Sequence, residues 1–265
     1  MAGASPAMHI IVLNSGSNGN AVYVESAASG RGVLLDCGIS RRQVELRLKI
    51  HGRTPQHIAG IFVTHEHADH VRGIPVVTKM YRTPVYLTEE TYRGMWMHKP
   101  HKGFHFIDPG HTVTLGDIEV RAYSKQHDAR DPVYFDVRIS GKRFLYVTDL
   151  GIHNQELVSM LPTVDALLLE SNYDEHMLDT GGYPEHLKAR IRSDHGHLSN
   201  RQAMDLIRTH CDGRLHTLLL GHLSENNNTP ALVESEITSL LNERPDFRPR
   251  VHIASRYDVS EVLSV

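Results

Sequence analysis

Short apolar runs alternate with amphipathic segments along the chain. The apolar runs are rich in β-branched and aromatic side chains and predict buried strands, as in residues 58–63 and 164–169. The amphipathic segments predict helices, and residues 39–50 are an example, with Val44 and Leu48 on one face and basic side chains on the other. This alternation of strand and helix predicts a layered α/β fold.

The predicted elements cover most of the chain. Strands are expected at 9–13, 21–25, 33–38, 58–63, 83–87, 118–123, 132–139, 143–151, 164–169, 215–220 and 250–254, and helices at 39–50, 73–81, from 88 onward, 153–161, 200–210 and 230–241. The first three strands should form an antiparallel meander. The glycine-rich turn 14–20 either faces an anion with its N–H groups or simply connects a hairpin. The basic face of 39–50 is either solvated or contacts nucleic acid.

The size of the chain suits one domain. With 265 residues and 29.8 kDa it can bury a single substantial core. We therefore predict one domain over residues 8–265, preceded by a disordered extension, residues 1–7. The N-terminal sequence has neither the basic start nor the apolar stretch of a secretory signal, and no apolar run is long enough to span a bilayer. These features predict a cytoplasmic protein.

Charge and cysteine content narrow the possible functions only slightly. The net charge of −3 excludes a strongly basic protein that coats nucleic acid. It does not exclude an enzyme that acts on nucleic acid, because bound divalent ions reverse the local field. Cys37 and Cys211 lie far apart in the sequence, so neither a disulfide nor a cysteine metal site is expected.

The strongest chemical signal is the segment 64–70, which follows a predicted strand. Strand side chains alternate, so a short extended continuation places His65 and His67 on the same side. Asp69 and His70 follow where the chain turns into the next segment. A single histidine is usually structural, but four potential ligands at this spacing predict a metal site. Neutral imidazole and carboxylate suit zinc, manganese or iron.

Further potential ligands follow other predicted strands. His127, Asp149 and His222 each come after an apolar run, at the carboxyl ends where α/β sheets commonly place their sites. Together with the 64–70 segment they provide enough ligands for two metal ions. Asp36 ends a strand before a glycine and is predicted to be a buried carboxylate that holds the ligand loop.

The pattern His-x-His-x-Asp-His resembles the signature of the metallo-β-lactamase fold superfamily. Motifs along nearly the whole chain resemble its YycJ-like (WalJ-type) branch: Ser15–Asn20, Leu35–Gly38, His127–Pro132, Thr148–Gly151, Leu169–Asn172, Ser193–Asn200 and Gly221–Asn227. The resemblance implies a single-domain, four-layer αββα sandwich. It also implies a bacterial cytoplasmic nuclease associated with 5′-to-3′ exonuclease action on DNA.

The resemblance further implies a distribution of the ligands. His65, His67 and His127 would bind one ion, Asp69, His70 and His222 the other, and Asp149 would bridge the two. Such a pair of ions can hold a bridging hydroxide as nucleophile at neutral pH. A nuclease of this kind would act on a nucleic-acid substrate.

The candidate catalytic residues are Asp69, His195 and His197. Either of these histidines could bind phosphate or protonate the leaving group, although both could instead cap a loop through ordinary hydrogen bonds. The preceding basic segment is suited to a nucleic-acid backbone and contains Lys188, Arg190 and Arg192. Glu170 and Asp194 are expected to orient their neighbours rather than to bind metal.

Other functions could use the same ligands. The main alternative is a hydrolase of small esters or thioesters, of the glyoxalase or lactonase type. A di-iron oxidoreductase is less well supported, because no flavin-binding partner domain is present in the sequence. A non-catalytic scaffold would be expected to have lost ligands. The sequence leaves open the metal, DNA versus RNA, strand preference and oligomeric state.

Overall fold

The computed structural model describes residues 6–95 and 103–265. Residues 1–5 of the predicted N-terminal extension therefore lie outside the described residues. By its internal contacts the chain divides into two compact units. Unit 1 comprises the described residues within Met1–Ser124, Ala129–Arg143 and Ser255–Val265, and unit 2 comprises Lys125–Asp128 and Phe144–Ala254.

Unit 1 contains a seven-stranded sheet with the order β14-β1-β2-β3-β4-β5-β6. Its strands are β1 (Met8–Asn14), β2 (Ala21–Ser26), β3 (Gly32–Leu35), β4 (Ile58–Phe62), β5 (Val85–Leu87), β6 (Phe104–Phe106) and β14 (Leu263–Ser264). Strands β1 to β3 are antiparallel, which confirms the predicted meander, and β3 to β6 are parallel. Three further antiparallel strands are β7 (Thr112–Leu115), β8 (Ile118–Ser124) and β9 (Val133–Ile139).

The helices of unit 1 cover the apolar side of this sheet. They are α1 (Arg41–Ile50), α2 (Ala68–Val71), α3 (Ile74–Tyr81) and α4 (Glu89–Gly94), and a short 3₁₀ turn spans Pro55–His57. Helix α1 begins where the Ser40 side chain accepts a hydrogen bond from the Gln43 N–H. It buries Val44 and Leu48 in a core that also contains Ile61. Strand β4 lies between β3 and β5, so the ligand segment that follows it leaves from the middle of the sheet.

Unit 2 contains parallel strands and most of the longer helices. The strands are β10 (Lys142–Val147, of which 144–147 belong to this unit), β11 (Ala166–Glu170), β12 (Thr217–Gly221) and β13 (Arg250–Ile253). The helices are α5 (Gln155–Met160), α6 (Glu175–Thr180), α7 (Glu185–Arg192), α8 (Asn200–His210) and α9 (Pro230–Glu243), with a 3₁₀ turn at Leu161–Thr163. The four strands pair in parallel. Every residue of β11 and β12 is buried, as expected for strands covered on both faces.

Most predicted elements are confirmed, but helices α6 and α7 were not predicted. Helix α7 has a single apolar pair at helical spacing, Leu187 and Ile191, and its one buried residue is Lys188, so its apolar periodicity is weak. Helix α8 coincides with its predicted bounds because a complete capping box, Ser199 with Gln202, fixes its start. Within the described residues, none of the helices combines the length and the apolar character that crossing a bilayer would require.

Candidate metal centre

In unit 1 the segment after β4 brings two imidazole rings together. His65 is fully buried, and its Nε2 lies 3.0 Å from Nδ1 of His67. His67 has an extended backbone and precedes the first turn of α2. The prediction that these two side chains point to the same side is therefore confirmed. Two ring nitrogens this close can bind the same ion.

Asp36 orients the second half of the ligand segment. Its Oδ2 lies 2.7 Å from Nδ1 of His70, and its Oδ1 accepts a hydrogen bond of 2.8 Å from the Thr64 N–H. Nε2 of His70 is consequently turned towards Asp69, 3.5 Å from Oδ2. A carboxylate on the far nitrogen fixes the tautomer and orientation of a ligating histidine. The predicted role of Asp36 as a buried support of the loop is confirmed.

The glycine-rich turn also supports these ligands, which the sequence did not reveal. The Asn20 N–H donates to the Asp69 carbonyl at 2.7 Å, and the Asn20 side-chain nitrogen lies 3.1 Å from Nε2 of His70. A Cβ atom at Gly38 would lie 1.6 Å from the Asp69 carbonyl oxygen, so only glycine fits there. In the sequence, Asn20 is recognisable only as the last residue of a polar turn. No residue pattern indicated that it contacts Asp69 and His70.

In unit 2 four potential ligands meet at one edge of the parallel strands. Asp149 follows β10, Glu170 ends β11 and His222 follows β12, and the pairing of these strands brings their carboxyl ends into line. His197 joins them from the segment between α7 and α8. Ligand atoms of these four residues all lie within 4.8 Å of one another, an arrangement that could hold a metal ion.

Glu170 is the hydrogen-bonding centre of this cluster. Its Oε1 lies 2.8 Å from Nδ1 of His197 and 2.7 Å from Nδ1 of His222, and its Oε2 accepts from the N–H groups of Leu150 and Leu198. Burial would raise the pKa of this carboxyl, but the two histidines outweigh burial and lower it to about 2. Glu170 is therefore ionised and orients both rings, in agreement with its predicted supporting role. Asn172 adds a hydrogen bond of 2.8 Å to the His222 carbonyl and was not foreseen.

His127 has the form that metal binding requires. Its Nδ1 lies 3.0 Å from the Gly196 carbonyl, and its Nε2 lies 3.1 Å from Oδ1 of Asp128 and 3.8 Å from Oδ1 of Asp149. Burial lowers the pKa of His127 to about 4, so the ring is neutral at physiological pH. Neutral imidazole is the ligating form.

Among the described residues, three of the five non-glycine residues with a positive φ are candidate ligands or their support. Asp36, Asp149 and His222 have φ values of 57°, 53° and 55°, in the left-handed region that non-glycine residues rarely adopt. Such conformations cost free energy and persist where the surrounding structure enforces them, commonly at functional sites. Each of the three stands just beyond a strand end.

The structure separates the two histidines of the 193–200 segment. His197 is partly buried beside Glu170, with 19% of its side chain exposed. The His195 side chain is exposed, while its carbonyl accepts a hydrogen bond of 3.0 Å from the Asp128 N–H. Asp194 is exposed, and its carbonyl oxygen would clash with any Cβ at Gly151.

The basic segment of helix α7 differs from the expectation. Lys188 is buried and donates to the Asp179 carbonyl at 2.8 Å. Arg190 pairs with Asp128, and Arg192 pairs with Asp179. Lys188 is therefore not available on the surface, whereas the paired side chains of Arg190 and Arg192 remain 55% and 36% exposed. The contact of this segment with a nucleic-acid backbone stays a prediction.

The donor set fits a divalent metal ion. Each unit offers buried imidazole nitrogens beside a carboxylate oxygen, a combination that zinc, manganese and iron accept. In each unit a second carboxylate, Asp36 or Glu170, holds the far nitrogen of a histidine. Such supporting contacts are typical of metal-ligating histidines.

The sequence is similar to that of known proteins over most of its length. A family model described as a β-lactamase superfamily domain matches residues 31–222. The exodeoxyribonuclease WalJ of Streptococcus pneumoniae serotype 2 is 32% identical over 235 residues, which are 87% of this chain and 87% of that protein. The chain belongs to the WalJ/YycJ family of the β-lactamase superfamily. The exodeoxyribonuclease YycJ of Bacillus anthracis is also 32% identical, over 89% of this chain and 90% of that protein.

A solved structure shares the fold of this chain. The metallo-β-lactamase fold protein YhfI of Bacillus subtilis superposes with a TM-score of 0.72 at 14% identity, over 99% of this chain and all of that one. This likeness confirms the predicted α/β fold of the metallo-β-lactamase type. The predicted resemblance to the YycJ-like branch is confirmed by the identity with WalJ and YycJ.

Proposed function

We propose that the chain is a metal-dependent phosphodiesterase, an exonuclease that acts on DNA from the 5′ end. The observation that carries this proposal is 32% identity over 87% of the chain to a protein named as an exodeoxyribonuclease. The metal-ligating side chains at the strand ends support it, because phosphodiester hydrolysis needs charge neutralisation and an activated water.

We further propose that two divalent ions, of zinc, manganese or iron, are bound by seven side chains. His65, His67 and His127 would hold one ion, Asp69, His70 and His222 the other, and Asp149 would contact both. When bound, the ions would supply positive charge for the phosphate and an activated water. The supporting contacts of Asp36 and Glu170 keep the histidine rings in a fixed orientation for this task.

The chain itself would supply the remaining groups. Glu170 holds Nδ1 of His197, which leaves Nε2 of this partly exposed ring for a phosphate oxygen or for the leaving oxygen. His195 remains a proposed phosphate contact because its side chain is exposed. Asp69 remains a proposed catalytic residue through the ion that it would bind. Cytoplasmic location remains a prediction.

Hydrolysis of a small ester or thioester is not favoured. It would use the same ligands, but the relatives that share a third of their residues with this chain are named exodeoxyribonucleases. No feature of the described residues favours this alternative over the nuclease.

The test is digestion of end-labelled DNA and RNA by metal-loaded protein, with a thioester and a lactone as control substrates. Release of mononucleotides from 5′ ends of DNA, abolished by Asp149→Asn, would support the proposal. His197→Ala should retain its metal but lose most of the nuclease rate. Turnover of the thioester or lactone alone would contradict the proposal, and unchanged nuclease turnover in His197→Ala would remove the role proposed for that residue.

A further inference from the structure

A cavity of about 370 Å³ opens in unit 1 beside the glycine-rich turn. Its charged and polar lining includes Asn14, Asn18, Arg47, Arg72, Arg256 and Tyr257. None of the residues that line it is acidic. The N-cap residue of α1, Ser40, also lines it, and the first turn of that helix carries no acidic residue. The cavity therefore has a positive lining that suits an anion.

Two of the arginines are fixed by neutral oxygen atoms. Arg47 donates to the Asn14 side-chain oxygen at 2.6 Å and to the Tyr257 carbonyl at 2.8 Å. Arg72 donates to the Gly38 carbonyl at 3.1 Å and to the Asn18 carbonyl. These bonds hold both guanidinium groups through uncharged acceptors, while the carboxylate of Asp258 also acts electrostatically on Arg47. Arginine in a fixed orientation is well suited to binding phosphate oxygens.

The same turn connects this cavity to the ligand segment. Arg72 ends helix α2, which carries Asp69 and His70. Within the turn, Asn18 accepts from Arg72, while Asn20 contacts both Asp69 and His70. Two residues of one short turn, Asn18 and Asn20, therefore contact the cavity lining and the candidate ligands of unit 1.

Tyr257 adds an aromatic surface at this cavity. Its side chain is 69% exposed, the highest value among the large hydrophobic residues of the described chain. Its carbonyl is fixed by Arg47. An exposed aromatic ring beside cationic side chains is the combination that proteins use to bind single-stranded nucleic acid, where bases stack on the ring and phosphates meet the charges.

We propose that this cavity binds a phosphate of the substrate strand next to the phosphodiester that is cleaved, and that Tyr257 stacks on a base of that strand. This inference rests on the proposed nuclease function. It assigns a contact with the nucleic-acid backbone to unit 1, where the sequence had left such a role open for the basic face of 39–50, which carries Arg47.

The phosphate could be the 5′-terminal group or one within the strand. The two sources share their chemistry, and a comparison of 5′-phosphorylated with 5′-hydroxyl oligothymidylate distinguishes them. Binding is measured by fluorescence anisotropy with metal-loaded protein and oligothymidylate that carries nuclease-resistant phosphorothioate linkages, so that the readout does not depend on cleavage. The variants are Arg72→Gln and Tyr257→Ala, and Arg31→Gln, an exposed arginine in the same unit, is the matched control. Thermal unfolding and metal content after loading verify that each variant is intact.

Arg72→Gln should weaken binding about tenfold and reduce the slope of log K against log salt by about 0.7, the value for one lost contact to a single strand. Tyr257→Ala should weaken binding about fivefold or more. If the Arg72→Gln effect requires the 5′-phosphate, the cavity holds the terminal group. If the effect persists with 5′-hydroxyl DNA, the cavity holds an internal phosphate.

The inference would be overturned if both variants bound the DNA as Arg31→Gln does. It would also be overturned if Arg72→Gln weakened the binding of inorganic phosphate but not the binding of DNA. The nuclease proposal is tested separately. Active wild-type enzyme with normal binding by both variants would remove the cavity inference and leave the nuclease standing. Inactive wild-type protein with the expected binding losses would remove the nuclease and leave a nucleic-acid phosphate site.

Discussion

The two ligand-bearing regions reach similar arrangements by different routes. In unit 1 the candidate ligands come from one segment, His65 to His70, and Asp36 orients a single ring. In unit 2 Asp149 and His222 come from separate strand ends, and Glu170 orients two rings at once. In both regions the orienting carboxylate also accepts a backbone N–H from a ligand-bearing loop, that of Thr64 or Leu150.

The two supporting carboxylates differ in how many buried groups depend on them. Loss of Asp36 would affect one histidine and one loop. Loss of Glu170 would release two histidines and two backbone donors, all buried or nearly so. Unsatisfied buried groups cost more than the net gain from forming their bonds. Unit 2 should therefore be the more sensitive of the two.

The largest effect is expected for Glu170→Ala. Removing this buried carboxylate leaves its hydrogen-bond donors without an acceptor and should lower the free energy of unfolding by about 4 kcal/mol. Metal affinity should fall about 10- to 100-fold, because the rings of His197 and His222 lose their orientation. Urea unfolding and metal titration measure the two effects. A loss below about 1 kcal/mol would show that the cluster does not depend on this residue.

The buried His127 makes a pH-dependent contribution to stability. In metal-free protein its pKa falls from 6.5 to about 4 on folding. The unfolded chain therefore binds more protons between these values, so stability is complete above pH 6.5 and declines as the pH falls to about 4. The shift corresponds to roughly 3 kcal/mol. Urea unfolding at several pH values should show this decline in wild type and a smaller one in His127→Asn. Equal slopes would contradict the assignment.

Asp36→Asn should have a smaller effect than the change at Glu170. The amide preserves the shape and one acceptor oxygen, but it cannot accept from both Thr64 and His70 as the carboxylate does. We expect a loss of about 2 kcal/mol in unfolding free energy. Metal affinity should again fall about 10- to 100-fold, through misorientation of His70. A loss of stability larger than that of Glu170→Ala would reverse the comparison.

The smallest effect is expected for Thr229→Ala, which serves as a control within unit 2. The Thr229 side chain accepts from the Leu232 N–H at the start of α9. Loss of this cap should lower the unfolding free energy by about 1 kcal/mol. Metal affinity and the nuclease rate should match those of wild type. If Thr229→Ala also lowered metal affinity, a loss of stability would be enough to explain the lower metal affinity of Glu170→Ala and Asp36→Asn.

The contiguous half of the candidate site was predictable because its chemistry is local. His65, His67, Asp69 and His70 follow one apolar strand, and alternation of side chains on extended backbone relates His65 to His67. The support from Asp36 was also foreseen, since it precedes a glycine at a strand end. The second half was not local. His127, Asp149 and His222 were linked only by their positions after strands and by the resemblance.

The features that were missed depend on tertiary contacts. Nothing in the sequence indicates that Asn20 reaches Asp69, or that Lys188 is buried against the Asp179 carbonyl. Helix α7 was missed because its apolar pattern is limited to Leu187 and Ile191, and its buried position is a lysine. The basic cavity brings together Arg47, Arg72 and Arg256 from distant parts of the chain. Such groupings follow from the packing of sheets and turns, which a linear pattern does not specify.

The metal centre that we propose would hold two divalent ions. Its most direct test is the metal content per chain, measured by mass spectrometry after loading and desalting, for wild type, His67→Ala and His222→Ala. We expect about two ions in wild type and about one in each variant. A wild-type protein without bound ions, or variants that keep the full content, would contradict the account.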